Sequence, residues 1–299
     1  MPGSLASARC LSNLGGALRA RYDRAGEIAD LNEAIDAVRI AAAVGGPNVG
    51  VVFLGNLSTL LLSRFARDAD LTDLSEGIEK VSQALKIIRP GNVNYAGYQS
   101  ILCAALWMRF GRTHNLDDLD EAIEAGRVAA RSAPDAPAGQ DTLHNLVDAL
   151  LSRYLTGRRP AEELDEIIDL AGQAADSAPA DHPHRVGYLL NLGTALEARF
   201  TATGTHQDAA NAMASWRAAC GIKSGTASER LNVARMWGRS AAEHGIWDEA
   251  EDGFAAAVNL LPLQAWHGLR QETREQVLFR RTGLASDAAA HNARPATGL

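Results

Sequence analysis

Asn13-Leu14-Gly15-Gly16-Ala17-Leu18-Arg19-Ala20-Arg21-Tyr22, a break at Gly26, and then Leu31-Asn32-Glu33-Ala34-Ile35 decide the fold of this 299-residue chain. Leu11, Leu14, Leu18 and Tyr22 stand at i, i+3, i+7 and i+11, which is one face of a helix. Leu31, Ile35 and Val38 give a second helix the same kind of face. Between them, Asp23 to Ala29 carries Gly26 and no β-type alternation, so it reads as a helix–helix turn. The stretch predicts an antiparallel helical hairpin.

The same pattern returns along the chain. An Arg-aromatic pair occurs at Arg21-Tyr22, Arg64-Phe65, Arg109-Phe110, Arg153-Tyr154 and Arg199-Phe200, in steps of 43, 45, 44 and 46 residues. Each pair is followed by a cluster related to Leu-x-Glu-Ala-Ile, at 31–35, 74–78, 119–123 and 164–168, with a weaker fifth copy at 209–213. Pro47, Pro90, Pro134 and Pro179 follow steps of 43, 44 and 45, and Pro262 lies further on in rough phase. Three unrelated features sharing one period mark an internal repeat, which outranks any domain count based on length. Acidic residues open the second helices (Asp30, Asp73, Asp117 and Asp118, Glu162 and Glu163, Asp208), where a helix dipole favours negative charge.

The expected fold is therefore all-α, a right-handed α-solenoid of about six hairpins over residues 1–262. The units are placed near 5–45, 49–89, 93–133, 138–178, 183–222 and 226–261. A C-terminal capping or docking helix is expected over 263–290 and a frayed tail over 291–299.

Composition narrows the function. Apolar residues make up 46%, aromatics only 5%, and the net charge is −7 with both signs interspersed. Neither nucleic acid nor an anionic membrane surface is an expected partner. Cys10, Cys103 and Cys220 are far apart and form no CxxC pair, so they are expected to be three buried, reduced thiols in a cytoplasmic protein. The first residues show no signal-peptide pattern, and the most apolar segment, 49–62, is interrupted by Gly50, Gly55, Asn56, Ser58 and Thr59.

Catalytic motifs are absent. The chain has no G-x-S-x-G, G-x-G-x-x-G, Walker or H-E-x-x-H pattern. Asp68, Asp70, Thr72 and Glu79 imitate a calcium loop, but Asp73 stands where that loop needs Gly. Asp181-His182-Pro183-His184 reads as an inter-hairpin loop rather than a metal site. Cys103, mid-helix among apolar residues, reads as a core thiol. No cofactor and no metal are expected.

The sixth unit carries a family resemblance. It reads Asn232-Val-Ala-Arg-Met-Trp-Gly-Arg-Ser-Ala-Ala-Glu-His-Gly245, then Trp247-Asp-Glu-Ala250, Phe254, Ala257-Val258 and Pro262. That resembles the tetratricopeptide repeat, which implies paired helices packed through small residues. Units one to five exceed the usual length of about 34 residues, so their helices should be longer. This long form, with its Arg-aromatic and Leu-Asp-Glu-Ala-Ile signatures, is similar to the helical arrays of bacterial CHAT-domain proteins, in which a caspase-like protease follows the repeats. The segment from Leu261 to Ala290 resembles the junction before that protease, and no protease is expected within these 299 residues.

Candidate binding residues follow from the repeat. Asn13, Asn56, Asn145, Asn191 and Asn232 recur in phase, and Ile101 takes their place in the third unit. Asn is a mediocre helix former, so the series needs a reason. In tetratricopeptide arrays the corresponding Asn faces the concave groove, and the resemblance implies that role here. The other reading is that these amides bond neighbouring helices and serve packing. Arg9, Ser12, Gly16, Thr59, His144, Asp148, Thr194 and Arg235 lie a turn away on the same face, a mostly uncharged lining. Gly55, Gly97, Gly187 and Ala104 are expected to make the central groove roomy. The expected function is non-enzymatic: a protein-interaction module that binds a peptide or helix of a partner. One alternative is the sensor part of a caspase-like protease system, whose partner is the protease or its substrate. Another is a small-molecule or enzymatic cavity inside the superhelix.

Overall fold

A computed structural model describes residues 5–132, 139–157 and 162–266. Among them it contains twelve α-helices and no strand. They are α1 Leu5–Ala25, α2 Ile28–Val44, α3 Gly46–Asp68, α4 Leu71–Ile87, α5 Tyr95–Thr113, α6 Leu116–Ser132, α7 Gly139–Leu155, α8 Glu163–Ser177, α9 Arg185–Thr203, α10 His206–Gly221, α11 Ala227–Glu243 and α12 Trp247–Trp266. The chain is an all-α helical-repeat solenoid divided into two compact units, residues 1–153 and 154–299. In the first unit, α1/α2, α3/α4 and α5/α6 are packed pairs. In the second, α9/α10 and α11/α12 are. The sequence expects Pro262 to end the sixth hairpin, yet α12 continues through it to Trp266. The expected helix over 263–290 and tail over 291–299 lie, beyond Trp266, outside the described residues.

Each first helix ends on a residue with positive φ. The positions are Gly26, Ala69, His114, Gly157, Gly204 and Gly245, with φ between 55° and 73°. The amide of the residue there closes the last turn onto Tyr22, Phe65, Phe110 and Phe200 in four of them. An L-residue in this region costs roughly 1–2 kcal/mol, and Gly pays almost none of it. Ala69→Gly is therefore expected to stabilise the first unit by about 0.5–1 kcal/mol, after the extra freedom Gly gives the unfolded chain. Chemical denaturation read by circular dichroism measures it.

The core of the first two hairpins is one cluster. Leu18, Leu31, Ile35 and Val38 pack with Phe53, Leu57, Leu60 and Leu61, all 5% exposed or less. Small residues let the helices close on it. A Cβ on Gly15 would stand 2.4 Å from Val38 Cγ2, and one on Gly193 would stand 2.4 Å from the indole nitrogen of Trp216. Gly55, expected to open the groove, is instead the seat of the Tyr98 ring, whose hydroxyl donates to the Val51 carbonyl at 3.2 Å.

The repeated Arg has a fixed partner. Arg21–Asp30, Arg64–Asp73, Arg109–Asp118 and Arg199–Asp208 are two-pronged ion pairs, each nine residues apart and 2.6–2.9 Å long. The Asp side chains are nearly buried. These carboxylates stand in the first turn of their helices, where the dipole favours them, and they also fork the guanidinium. Asp70, one turn earlier, is the N-cap of α4 and accepts from the Thr72 amide.

The same guanidinium also reaches back one hairpin. Arg64 donates to Asn32 Oδ1 at 2.9 Å and Arg199 to Asp165 Oδ1 at 2.6 Å. Arg153, whose ninth residue onward is Glu162, pairs with Asp120 at 2.8 Å. Asn32, Asp120 and Asp165 each follow the Leu of the repeated cluster. One side chain thus ties both helices of its own hairpin and pins the register to the preceding one.

The paired aromatic ring works across hairpins as well. Phe65 is buried beneath the Arg112 guanidinium, 5.6 Å from the ring centroid, and Phe200 meets His244 edge-on at 4.9 Å. Tyr22, Phe110, Tyr154 and Phe200 are half-buried.

Candidate functional site

The first helices α1 and α3 enclose a cleft of ≈ 160 Å³ against α2. Ser12, Gly16, Arg19, Val38, Asn56 and Thr59 line it. Its floor exists because Gly15 brings Val38 against α1. Its mouth exists because Gly16, one residue on, has open space where a Cβ would be. Asn56 is exposed and donates to Ser12 Oγ at 3.1 Å, so half of its amide is spent inside the protein while its carbonyl stays available. Thr59 bonds back to the Gly55 carbonyl at 3.1 Å. The result is a small polar-rimmed slot with an apolar floor.

The other candidates divide between the two compact units. In the first, Asn13 is exposed on α1. Asn145 on α7 donates to Ser100 Oγ at 3.0 Å, repeating the Asn56–Ser12 bond two junctions later. His144 and Asp148 are half-buried neighbours on α7, 3.4 Å apart. In the second unit, Asn191 is 7% exposed and cannot offer its amide to a ligand in solution. Thr194 donates to the Leu190 carbonyl on its own helix at 2.9 Å. Asn232 is exposed on α11, with Met236 Sδ 3.9 Å from its nitrogen. Arg235 is half-buried and its Nε has no hydrogen-bond partner among the described residues. The in-phase Asn series therefore holds three kinds of residue: exposed (Asn13, Asn232), shared with the preceding hairpin (Asn56, Asn145) and buried (Asn191).

Arg19 and Leu60 line the cleft without having been singled out in the sequence. Arg19 is an interspersed charge on a helix, and only the third helix shows that it borders a slot. The Arg–Asp forks did carry a signal: a constant nine-residue spacing in four repeats.

The cysteines are not a reactive cluster. Cys103 is fully buried and donates to the Asn145 carbonyl. Burial, reinforced by the Asp148 carboxylate, pushes its thiol up to about 12. Burial also pushes Cys220 up to about 11. A thiol at such values is protonated at neutral pH and is a poor nucleophile. Cys10, expected to be buried, is exposed on α1. No group of three or more His, Cys, Asp or Glu side chains suited to a metal ion occurs among the described residues. No described helix is long and apolar enough to cross a membrane.

No protein-family model matches the chain. No curated protein sequence matches it either. Solved structures do. One is the crystal structure of MamA protein, at 15% identity and a TM-score of 0.47, covering 73% of this chain and 96% of that one. Another is the Podosopora anserina putative kinesin light chain with nearly identical TPR-like repeats, at 16% identity and a TM-score of 0.49, covering 70% and 95%.

Proposed function

We propose that this protein is a non-enzymatic interaction scaffold of the tetratricopeptide type, which holds a peptide or a short helix of a protein partner against its first helices. The observation that carries the reading is the slot at Ser12, Gly16, Asn56 and Thr59: preformed, apolar at its floor and polar at its rim. Rigid stacked helices present it with little ordering cost on the receptor side, which is how such surfaces gain affinity. Gly16 leaves room for one partner side chain, and the Asn56 carbonyl faces where a backbone amide would pass. Asn13 and Asn232 are the other exposed amides of the series.

The test is selection from a random-sequence peptide library, with affinities of the enriched peptides measured by fluorescence anisotropy. Gly16→Gln fills the slot and is expected to weaken binding tenfold or more, equivalent to about 1.4 kcal/mol, with a thermal melt no lower than that of the unchanged protein. Ile40→Gln, on the exposed side of α2, is expected to leave affinity unchanged. Enriched peptides that bind both variants alike would sink the assignment of the slot.

The similarity to CHAT-protein repeats supports a narrower version in a cytoplasmic setting, in which the partner is a caspase-like protease or its substrate. Binding of a catalytically dead CHAT protease from the same genome, lost in Gly16→Gln, tests that version.

A further inference from the structure

The first hairpin is built like an interior repeat. Leu14 is 43% exposed, whereas its counterparts in the next three units, Leu57, Leu102 and Leu146, are 1%, 7% and 2% exposed. Arg21 holds Asp30 in the same fork as the other units, yet its side chain is 57% exposed, against 24% for Arg64 and 28% for Arg199. What Arg64 and Arg199 have in addition is the Asn32 or Asp165 oxygen of the preceding hairpin. An interior repeat keeps an apolar face for its neighbour. This one turns out a leucine, an exposed cysteine (Cys10) and a guanidinium with an edge to spare.

The last described hairpin carries the complement. Asn32 and Asp120 are the fifth residues of α2 and α6, six residues after the positive-φ position that ends the preceding helix. The fifth residue of α12, six after Gly245, is Glu251, an exposed carboxylate. Along the same side of α12 follow Ala255, Val258 and Pro262, all exposed, at i+4, i+7 and i+11. In α2 the equivalent of Val258 is Arg39, which reaches the next hairpin by bonding Glu76. The outer side of α12 therefore has an acid in the register that accepts an Arg from a following hairpin, above an apolar stripe.

We propose that two copies of this chain stack head to tail, the α1 face of one on the α12 face of the next, with Arg21 bridging to Glu251 and Leu14 covered. The contact repeats, between molecules, the junction that the chain already makes within itself at Arg64 and Asn32, and at Arg153 and Asp120. It is independent of the slot proposed above for a peptide.

Sedimentation velocity on the full chain tests it. Wild type is expected to self-associate with rising concentration. Leu14→Glu spoils only the leading face, and the pair Glu251→Arg with Val258→Asp spoils only the trailing one. All three positions are exposed, so circular dichroism should be unchanged. Each variant alone is expected to be a monomer. Mixed one to one, they keep one good face each and are expected to form a heterodimer and nothing larger. A wild type that stays monomeric throughout the concentration series overturns the proposal, whether or not another protein binds the α1 face. Association that persists in the trailing-face variant also overturns it, because the face would then be pairing with itself.

Discussion

Arg64→Met is expected to cost about 3–5 kcal/mol, because it leaves the Asp73 carboxylate buried without its cation. Asp73 is 4% exposed and takes both of its short bonds from Arg64. The third bond, to Asn32, is lost as well, and with it the tie to the first hairpin. The double variant Arg64→Met/Asp73→Leu should recover most of the loss, since removing both charges also removes the need to desolvate them. Chemical denaturation of the three proteins measures this. Equal stability of the single and double variants would mean that the fork contributes packing rather than charge pairing.

The fork also predicts an acid limb. Hydrogen bonds from Arg199 hold the Asp208 carboxyl below its ordinary range, against the opposing effect of burial. Its contribution is complete above the ordinary carboxylate pKa and disappears as pH falls through the depressed folded value. Stability should therefore fall on acidification below about pH 4, and Arg199→Met should make that fall shallower.

Trp216→Ala is the second large effect, expected at about 3–5 kcal/mol. Trp216 is fully buried, its ring lies over Gly193, and its indole donates to the Leu190 carbonyl at 3.2 Å. Truncation opens a cavity and strips that carbonyl of a donor. Gly193→Ala probes the same contact from the other side. With the indole in place its Cβ has no room, and a cost of about 1–3 kcal/mol is expected. In the Trp216→Ala background the added methyl enters the cavity, so its cost should vanish. The thermal melts of the two singles and the double form a cycle, and simple additivity would show that the two residues do not share the site.

Much of this was legible in the residues themselves. Leu11, Leu14, Leu18 and Tyr22 specify a helix because a 3.6-residue period needs no tertiary information. Repetition of Arg-aromatic and Leu-x-Glu-Ala-Ile specified a stacked array because each hairpin has an apolar face it cannot bury alone. The slot was only half legible. Asn56, Ser12, Gly16 and Thr59 could be named on the groove face, but Arg19 and the contrast between Gly15 and Gly16 could not. The two glycines are identical neighbours in sequence, and only the position of Val38 makes one a contact and the other a gap. The Asn series failed as a uniform set for the same reason. Identical amides in phase become exposed, shared or buried according to what the preceding hairpin places opposite them.

The sequence by itself determined the helices, their pairing into hairpins and the positions of their turns, since these depend on local period and on residues close along the chain. Only the tertiary structure decided which group of the preceding hairpin the repeated Arg also holds. Asp30 and Asn32 stand two residues apart near the start of α2. Folding places the first inside Arg21's own hairpin and the second within reach of Arg64, because residues two apart on a helix point about 200° apart and meet different neighbours.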